Sequence, residues 1–232
     1  MSLYAIGDFH LAFSRPEMTM ERLSKRWENY VQRIDENYRK LIGPEDTCVI
    51  TGDHSWGRNL NECGPDLDFI ASLPGRKILL RGNHDAFWPV KKTQALNRMF
   101  EGRLEFLQNN FCNYEDYALV GTKGYCYEGK DSIEHYIKIM QRELERLLIS
   151  FNAAKDAGYR KFIVFLHYPP TSMDETESPF TKMAEVFGAE QVIYSHSHGH
   201  LRYDDSIKGK FHGITYRLVS SDYLQFQPVR IL

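Results

Sequence analysis

No stretch of these 232 residues approaches the roughly 18 apolar residues that would suggest a membrane span. The N-terminus runs straight into a β-type segment with no basic and apolar leader, so secretion is not expected. Cysteine is sparse: Cys48, Cys63, Cys112 and Cys126 lie far apart with no Cys-x-x-Cys pair. That speaks for reduced, intracellular usage and against both a disulfide framework and a zinc ribbon. Long runs of Lys or Arg are missing too, and the formal net charge is -2. A nucleic-acid footprint is therefore not favoured, although a local basic pocket stays open. No internal repeat or low-complexity linker divides the chain. These absences lead us to expect a soluble cytoplasmic protein, one domain over residues 1–232, with no membrane partner and an open oligomeric state.

What is present is an ordinary globular composition, 42% hydrophobic and 26% charged, organised by five short polar motifs. Asp8-Phe9-His10 follows Leu3-Tyr4-Ala5-Ile6, and Gly52-Asp53 follows Thr47-Cys48-Val49-Ile50. Gly82-Asn83-His84-Asp85 follows Lys77-Ile78-Leu79-Leu80, and His167 follows residues 162–166. His196-Ser197-His198 follows Gln191-Val192-Ile193-Tyr194. In open α/β sheets, ligands collect outside the carboxyl ends of the strands.

Apolar spacing of three and four predicts an amphipathic helix over 21–42, ended by Gly43-Pro44. Shorter helices are expected over 66–73 and 91–100. A long one is expected over about 131–157, with Ile133, Tyr136, Ile137, Met140, Leu144, Leu147 and Leu148 on one face and a solvated Glu/Arg face opposite. The all-apolar runs 78–80 and 162–166 suit central strands, while the alternating stretches 104–121 and 214–229 suit a second sheet. The expected class is α/β (α+β): a four-layer αββα sandwich of two mixed β-sheets flanked by helices.

Carboxylate, imidazole and amide oxygen together suit divalent transition metals such as Mn, Fe, Zn, Co or Ni. Asp8, His10, Asp53, Asn83, His167, His196 and His198 are more ligands than one tetrahedral ion needs. The surplus implies two ions sharing a carboxylate. Asp53 is the natural bridge, because a carboxylate has two oxygens and an imidazole offers a metal one free nitrogen. Two ions about 3.5–4 Å apart can hold a bridging hydroxide and clamp the attacking and leaving oxygens of phosphoryl transfer.

These motifs, with Ser195-His196-Ser197-His198, resemble the calcineurin-like metallophosphoesterase superfamily. Within it the chain looks like a group of small bacterial phosphohydrolases with a Gly-Asp-x-Ser-Trp element, here Gly52-Asp53-His54-Ser55-Trp56. Arg26-Trp27-Glu28-Asn29, Gly121-Thr122-Lys123-Gly124 and His167-Tyr168-Pro169-Pro170 are also similar to that group. The resemblance implies one ion on Asp8, His10, Asp53 and His198 and a second on Asp53, Asn83, His167 and His196. It further implies that His84 protonates the leaving oxygen while Asp85 orients it, on a small phosphorylated substrate. A phosphodiesterase or nucleotide pyrophosphatase is the alternative chemistry on the same residues. A non-catalytic protein-binding scaffold is the alternative class, against which an intact His84 speaks.

Two positions depart from the family. Ser195 stands where glycine is usual, and His54 where an apolar residue is usual; His54 either touches substrate, tunes the ligands or packs sideways. His200 leaves a second register open, with His198 and His200 as the ligand pair; Gly199 after the last ligand favours His196 and His198. Tyr125, Tyr127 and Trp88 are candidate pocket residues, and Lys123 and Arg81 candidate phosphate contacts. His135 and His212 have no motif context.

Overall fold

A computed structural model describes residues 1–129 and 131–232. Five strands form the first sheet: β1 (Leu3–Ile6), β2 (Thr47–Ile50), β3 (Arg76–Leu80), β4 (Glu105–Leu107) and, at the chain's end, β11 (Val229–Arg230). Their order is β11-β1-β2-β3-β4, parallel except at β11. The second sheet contains β5 (Phe111–Tyr114), β6 (Tyr117–Thr122), β7 (Lys161–Leu166), β8 (Ala189–Tyr194), β9 (Gly209–Phe211) and β10 (Ile214–Leu218). Its order is β5-β6-β7-β8-β10-β9, with antiparallel pairs only at its two edges.

Three apolar layers hold this together. Leu3, Ala5, Val49, Ile78 and Leu80 of the first sheet meet Leu119, Ile163, Phe165 and Ile193 of the second. On the outer face of the first sheet lie α1 (Tyr30–Leu41), α2 (Leu60–Ser72) and α3 (Thr93–Met99). On the outer face of the second lie α4 (Ile133–Asp156) and α5 (Pro179–Phe187). The result is the expected sandwich of two mixed sheets between helices. Among the described residues no helix is long and apolar enough to cross a membrane.

Several local expectations need correction. The predicted 21–42 helix exists only from Tyr30; before it come short 3-10 turns, ended by Asn29 in the left-handed conformation at φ 53°. Strand β4 joins the first sheet, as does β11, so 104–121 and 214–229 are each split between sheets. On α4 the buried face carries Glu143, Leu147, Ser150, Phe151 and Ala154, while Ile133, Ile137 and Leu148 are exposed. Glu143 tolerates complete burial because Thr122 Oγ1 donates to it at 2.7 Å and Arg146 at 2.5 Å. A buried carboxylate is stable only when so paired.

Every expected motif sits at the carboxyl end of its strand: residues 8–10 after β1, 53 after β2, 83 after β3, 167 after β7 and 196–198 after β8. All of these strands are parallel within their own sheet. Their ends bring the motif loops of both sheets to one rim.

Candidate metal centre

Two groups of potential ligand atoms assemble there. Asp8, His10 and His198 form one, and Asp53, His167 and His196 the other, with the ligand atoms of each group within 4.8 Å of one another. Asn83 extends the second, its Oδ1 lying 2.7 Å from His167 Nε2. All seven predicted ligands are thus brought together. His200 falls outside both groups, in an exposed 3-10 turn beside Tyr203.

The backbone at several of these residues is sharply bent. Asp8, His10, Asp53 and His196 all adopt positive φ, at 61°, 46°, 52° and 69°. Such strain in non-glycine residues clusters at functional sites. Gly82 is needed for packing, because a Cβ there would fall on the Asp53 carboxylate. Ser195 is accommodated because residue 7 is glycine: a Cβ on Gly7 would come within 2.6 Å of the Ser195 Cβ. The serine adds a hydrogen bond, its Oγ donating to the Thr51 carbonyl at 2.8 Å.

The donor set fits divalent cations on three observations. Asp8 Oδ1 and Asp53 Oδ2 are buried, and neither finds a hydrogen-bond partner among the described residues. Lone buried carboxylate oxygens are costly unless a cation meets them. His10 Nε2 and His198 Nε2 lie 3.3 Å apart, close to the roughly 3.3 Å edge of a tetrahedron of imidazole nitrogens about 2.0 Å from a central zinc. Second contacts also fix which nitrogen is free: His167 Nδ1 faces the Thr51 carbonyl at 2.9 Å and His198 Nδ1 faces Asp222 at 2.9 Å. Their Nε2 atoms are left for a metal. His196 is reversed, with Nε2 on Glu128 at 3.2 Å and a buried Nδ1 without partner.

Burial dominates the electrostatics. It pushes the Asp8 carboxyl up, and lowers His10 to about 3 and His196 to about 4. Burial also opposes charge on the Asp53–His167 pair, yet mutual attraction wins. Asp53 is held well below the usual carboxylate range, and His167 rises to about 9. His10 and His196 are therefore neutral and ready to ligate, whereas His167 must release a proton to do so.

The expected partnership of Asp85 with His84 is corrected. Asp85 is fully buried and accepts from His54 Nδ1 at 2.9 Å and from the amides of Asp53, His54 and Gly82. His54, also fully buried, therefore braces the two loops and lies away from solvent. His84 is oriented otherwise: its amide donates to Asp53 Oδ1 at 2.8 Å and its ring lies 4.3 Å from that of Trp56.

Trp88 belongs to the core. Lys123 is mostly buried against the rings of Tyr125 and Tyr168, and its carbonyl accepts from the amides of His167 and Tyr168. Arg81 donates to the Trp88 carbonyl at 2.7 Å. His135 and His212 are exposed beside Asp131 and Glu185.

Asp222 and Glu128 were missed. Asp222 takes His198 Nδ1, the Gly199 amide and the Tyr203 hydroxyl, each at 2.9 Å. It lies shortly after the alternating strand segment 214–219, so a strand end preceded it here as well, though without the all-apolar run that marks 78–80 and 162–166. Glu128 sits in an irregular loop and carries no such signal.

The family model for calcineurin-like phosphoesterases matches residues 1–200. The chain belongs to that family. The Gene 66 protein of Mycobacterium phage L5 is 30% identical over 86 residues, which cover 37% of this chain and 41% of that protein. A structure of AQ665 from Aquifex aeolicus, a protein of unknown function, is similar over 99% of this chain and 95% of its own, at 18% identity and TM-score 0.54. The calcineurin-like phosphoesterase YfkN from Bacillus subtilis is similar over 96% of this chain and 82% of its own, at 16% identity and TM-score 0.50. At such identities the structural likeness concerns the fold.

Proposed function

We propose that the chain is a phosphohydrolase acting on a small phosphorylated substrate at a centre of two divalent transition ions. One observation carries the reading. Asp53 Oδ2, buried and unpartnered among the described residues, faces both ligand groups, 3.7 Å from His10 Nε2 and 3.4 Å from His167 Nε2. Asp8, His10, Asp53 and His198 would hold one ion, and Asp53, Asn83, His167 and His196 the other. When bound, such a pair supplies charge neutralisation for the phosphoryl oxygens and an acidified water nucleophile.

Hydrolysis joins the water oxygen to phosphorus as the ester P–O bond breaks, and the departing alkoxide needs a proton. His84 is the group for this. Its amide hydrogen bond to Asp53 and the tilted contact of its ring with Trp56, 4.3 Å between centroids, keep the imidazole beside the ligand groups. An imidazole can carry a proton and hand it on, which suits a general acid. Membership of the calcineurin-like phosphoesterase family supports the reading.

Asp53→Ala should abolish both hydrolysis of an aryl phosphate and the binding of about two ions per chain, read by elemental analysis and a chromogenic assay. Wild-type protein that binds at most one ion, or a folded Asp53→Ala protein that remains active, would overturn the bridging role.

A further inference from the structure

Beside the ligand groups lies a cavity of about 600 Å³, within the usual size of ligand pockets. Three loops wall it: Tyr127 and Glu128 after β6, Pro169 and Met173 after β7, and Leu201 and Arg202 after β8. It shares a wall with the metal centre, because Glu128 contacts His196 Nε2 at 3.2 Å. For a substrate whose phosphoryl group reached the ligand groups, this space lies next to it, across Glu128.

The lining selects among substrates. Arg202 is its cation, and two carboxylates already claim it: Glu128 at 2.8 Å and Asp205 at 3.0 Å. Two negative charges against one positive repel a second phosphate. The apolar content is large. Met173 and Leu201 are 62% and 94% exposed and Tyr127 38%, with buried Pro169 behind them. Clustered apolar side chains left in water beside a polar centre mark a binding surface, and methionine sulfur packs well against rings. Carboxylates in the same wall accept N–H and O–H donors.

We infer that this cavity receives the leaving group of the substrate, and that this group is an uncharged aromatic ring system bearing hydrogen-bond donors. The assignment of the ring as a leaving group rests on the phosphohydrolase reading; its binding does not.

Adenosine, which has the ring and donors but no phosphate, separates the two. It should bind the full-length protein by calorimetry, and Leu201→Asp or Met173→Asp should weaken binding about tenfold or more. Both side chains are exposed, so the fold should persist by circular dichroism. In metal-loaded protein, kcat/KM for adenosine 5′-monophosphate should exceed that for glycerol 3-phosphate about tenfold, an advantage lost in either variant. Absence of adenosine binding, with equal kcat/KM for the two esters, would overturn the cavity assignment and leave the phosphohydrolase standing. Adenosine binding that both variants weaken, in a protein hydrolysing no phosphate ester, would uphold the cavity and sink the phosphohydrolase. Faster hydrolysis of adenosine diphosphate than of the monophosphate would overturn the exclusion of a second phosphate.

Discussion

Four donors converge on the Asp85 carboxylate, at 2.7–3.1 Å, and none of them is His84. His84, the proposed leaving-group acid, is therefore held by main chain and by Trp56, and Asp85 acts on the architecture of the Asp53 loop. Replacing His84 with Asn should spare metal content and cut turnover roughly 10²–10⁴-fold. The loss should shrink for nitrophenyl esters, whose leaving groups depart without a proton, and a flat leaving-group series would exclude the acid role. His54→Leu should also spare metal content. Its cost should appear in stability, about 1–3 kcal/mol by denaturant titration, since it strips a buried partner from Asp85. The candidate ligand residues were legible because metal chemistry permits few side-chain types and the α/β fold gathers them at strand ends. The partner of Asp85 was not, because two histidines precede it in sequence within reach of one carboxylate. Only the fold decides which ring it meets.

Helix α2 begins at Leu60, earlier than its apolar pattern suggests, because Asn59 caps it through the amides of Asn61 and Glu62. Glu62 in that first turn is held at about 2, against an ordinary 4.5, chiefly by its hydrogen bonds with Arg58. A depressed carboxyl stabilises the fold above its unfolded value and loses that contribution as pH falls toward the folded one. Glu62→Gln should therefore lower Tm at pH 6, and the difference should fade between about pH 4.5 and 2. A difference that persists at pH 2 would assign the effect to shape and not to charge. Helix existence was legible from periodicity, but the buried face of α4 was not. Glu143 reads as solvent-facing in one dimension, and its burial depends on Thr122, which is 21 residues away. Strand membership failed similarly: β4 and β11 are short, and partner choice, not composition, assigns them to the first sheet.

At the scale of the molecule, each ligand group draws from both sheets. Asp8 and His10 follow β1 while His198 follows β8; Asp53 follows β2 while His167 and His196 follow β7 and β8. Bound ions would tie the two sheets together at their rim. Free metal at a thousand times its Kd adds about 4 kcal/mol to folding, and each kcal/mol moves Tm by about 2–4 °C in a chain of this size. Chelation should thus lower Tm by roughly 8–16 °C on those figures, and re-addition of manganese should restore it. An unchanged Tm, in protein shown to lose its metal, would mean that the sandwich carries its own stability at the rim. The left-handed backbone at Asp8, His10, Asp53 and His196 has a consequence for descent. Asn, Asp, His and Gly tolerate that conformation, whereas β-branched residues suffer in it. A lineage that abandoned the chemistry would still inherit the bends. Its vanished ligands would drift toward Asn and Gly, leaving a legible scar where the metals had been.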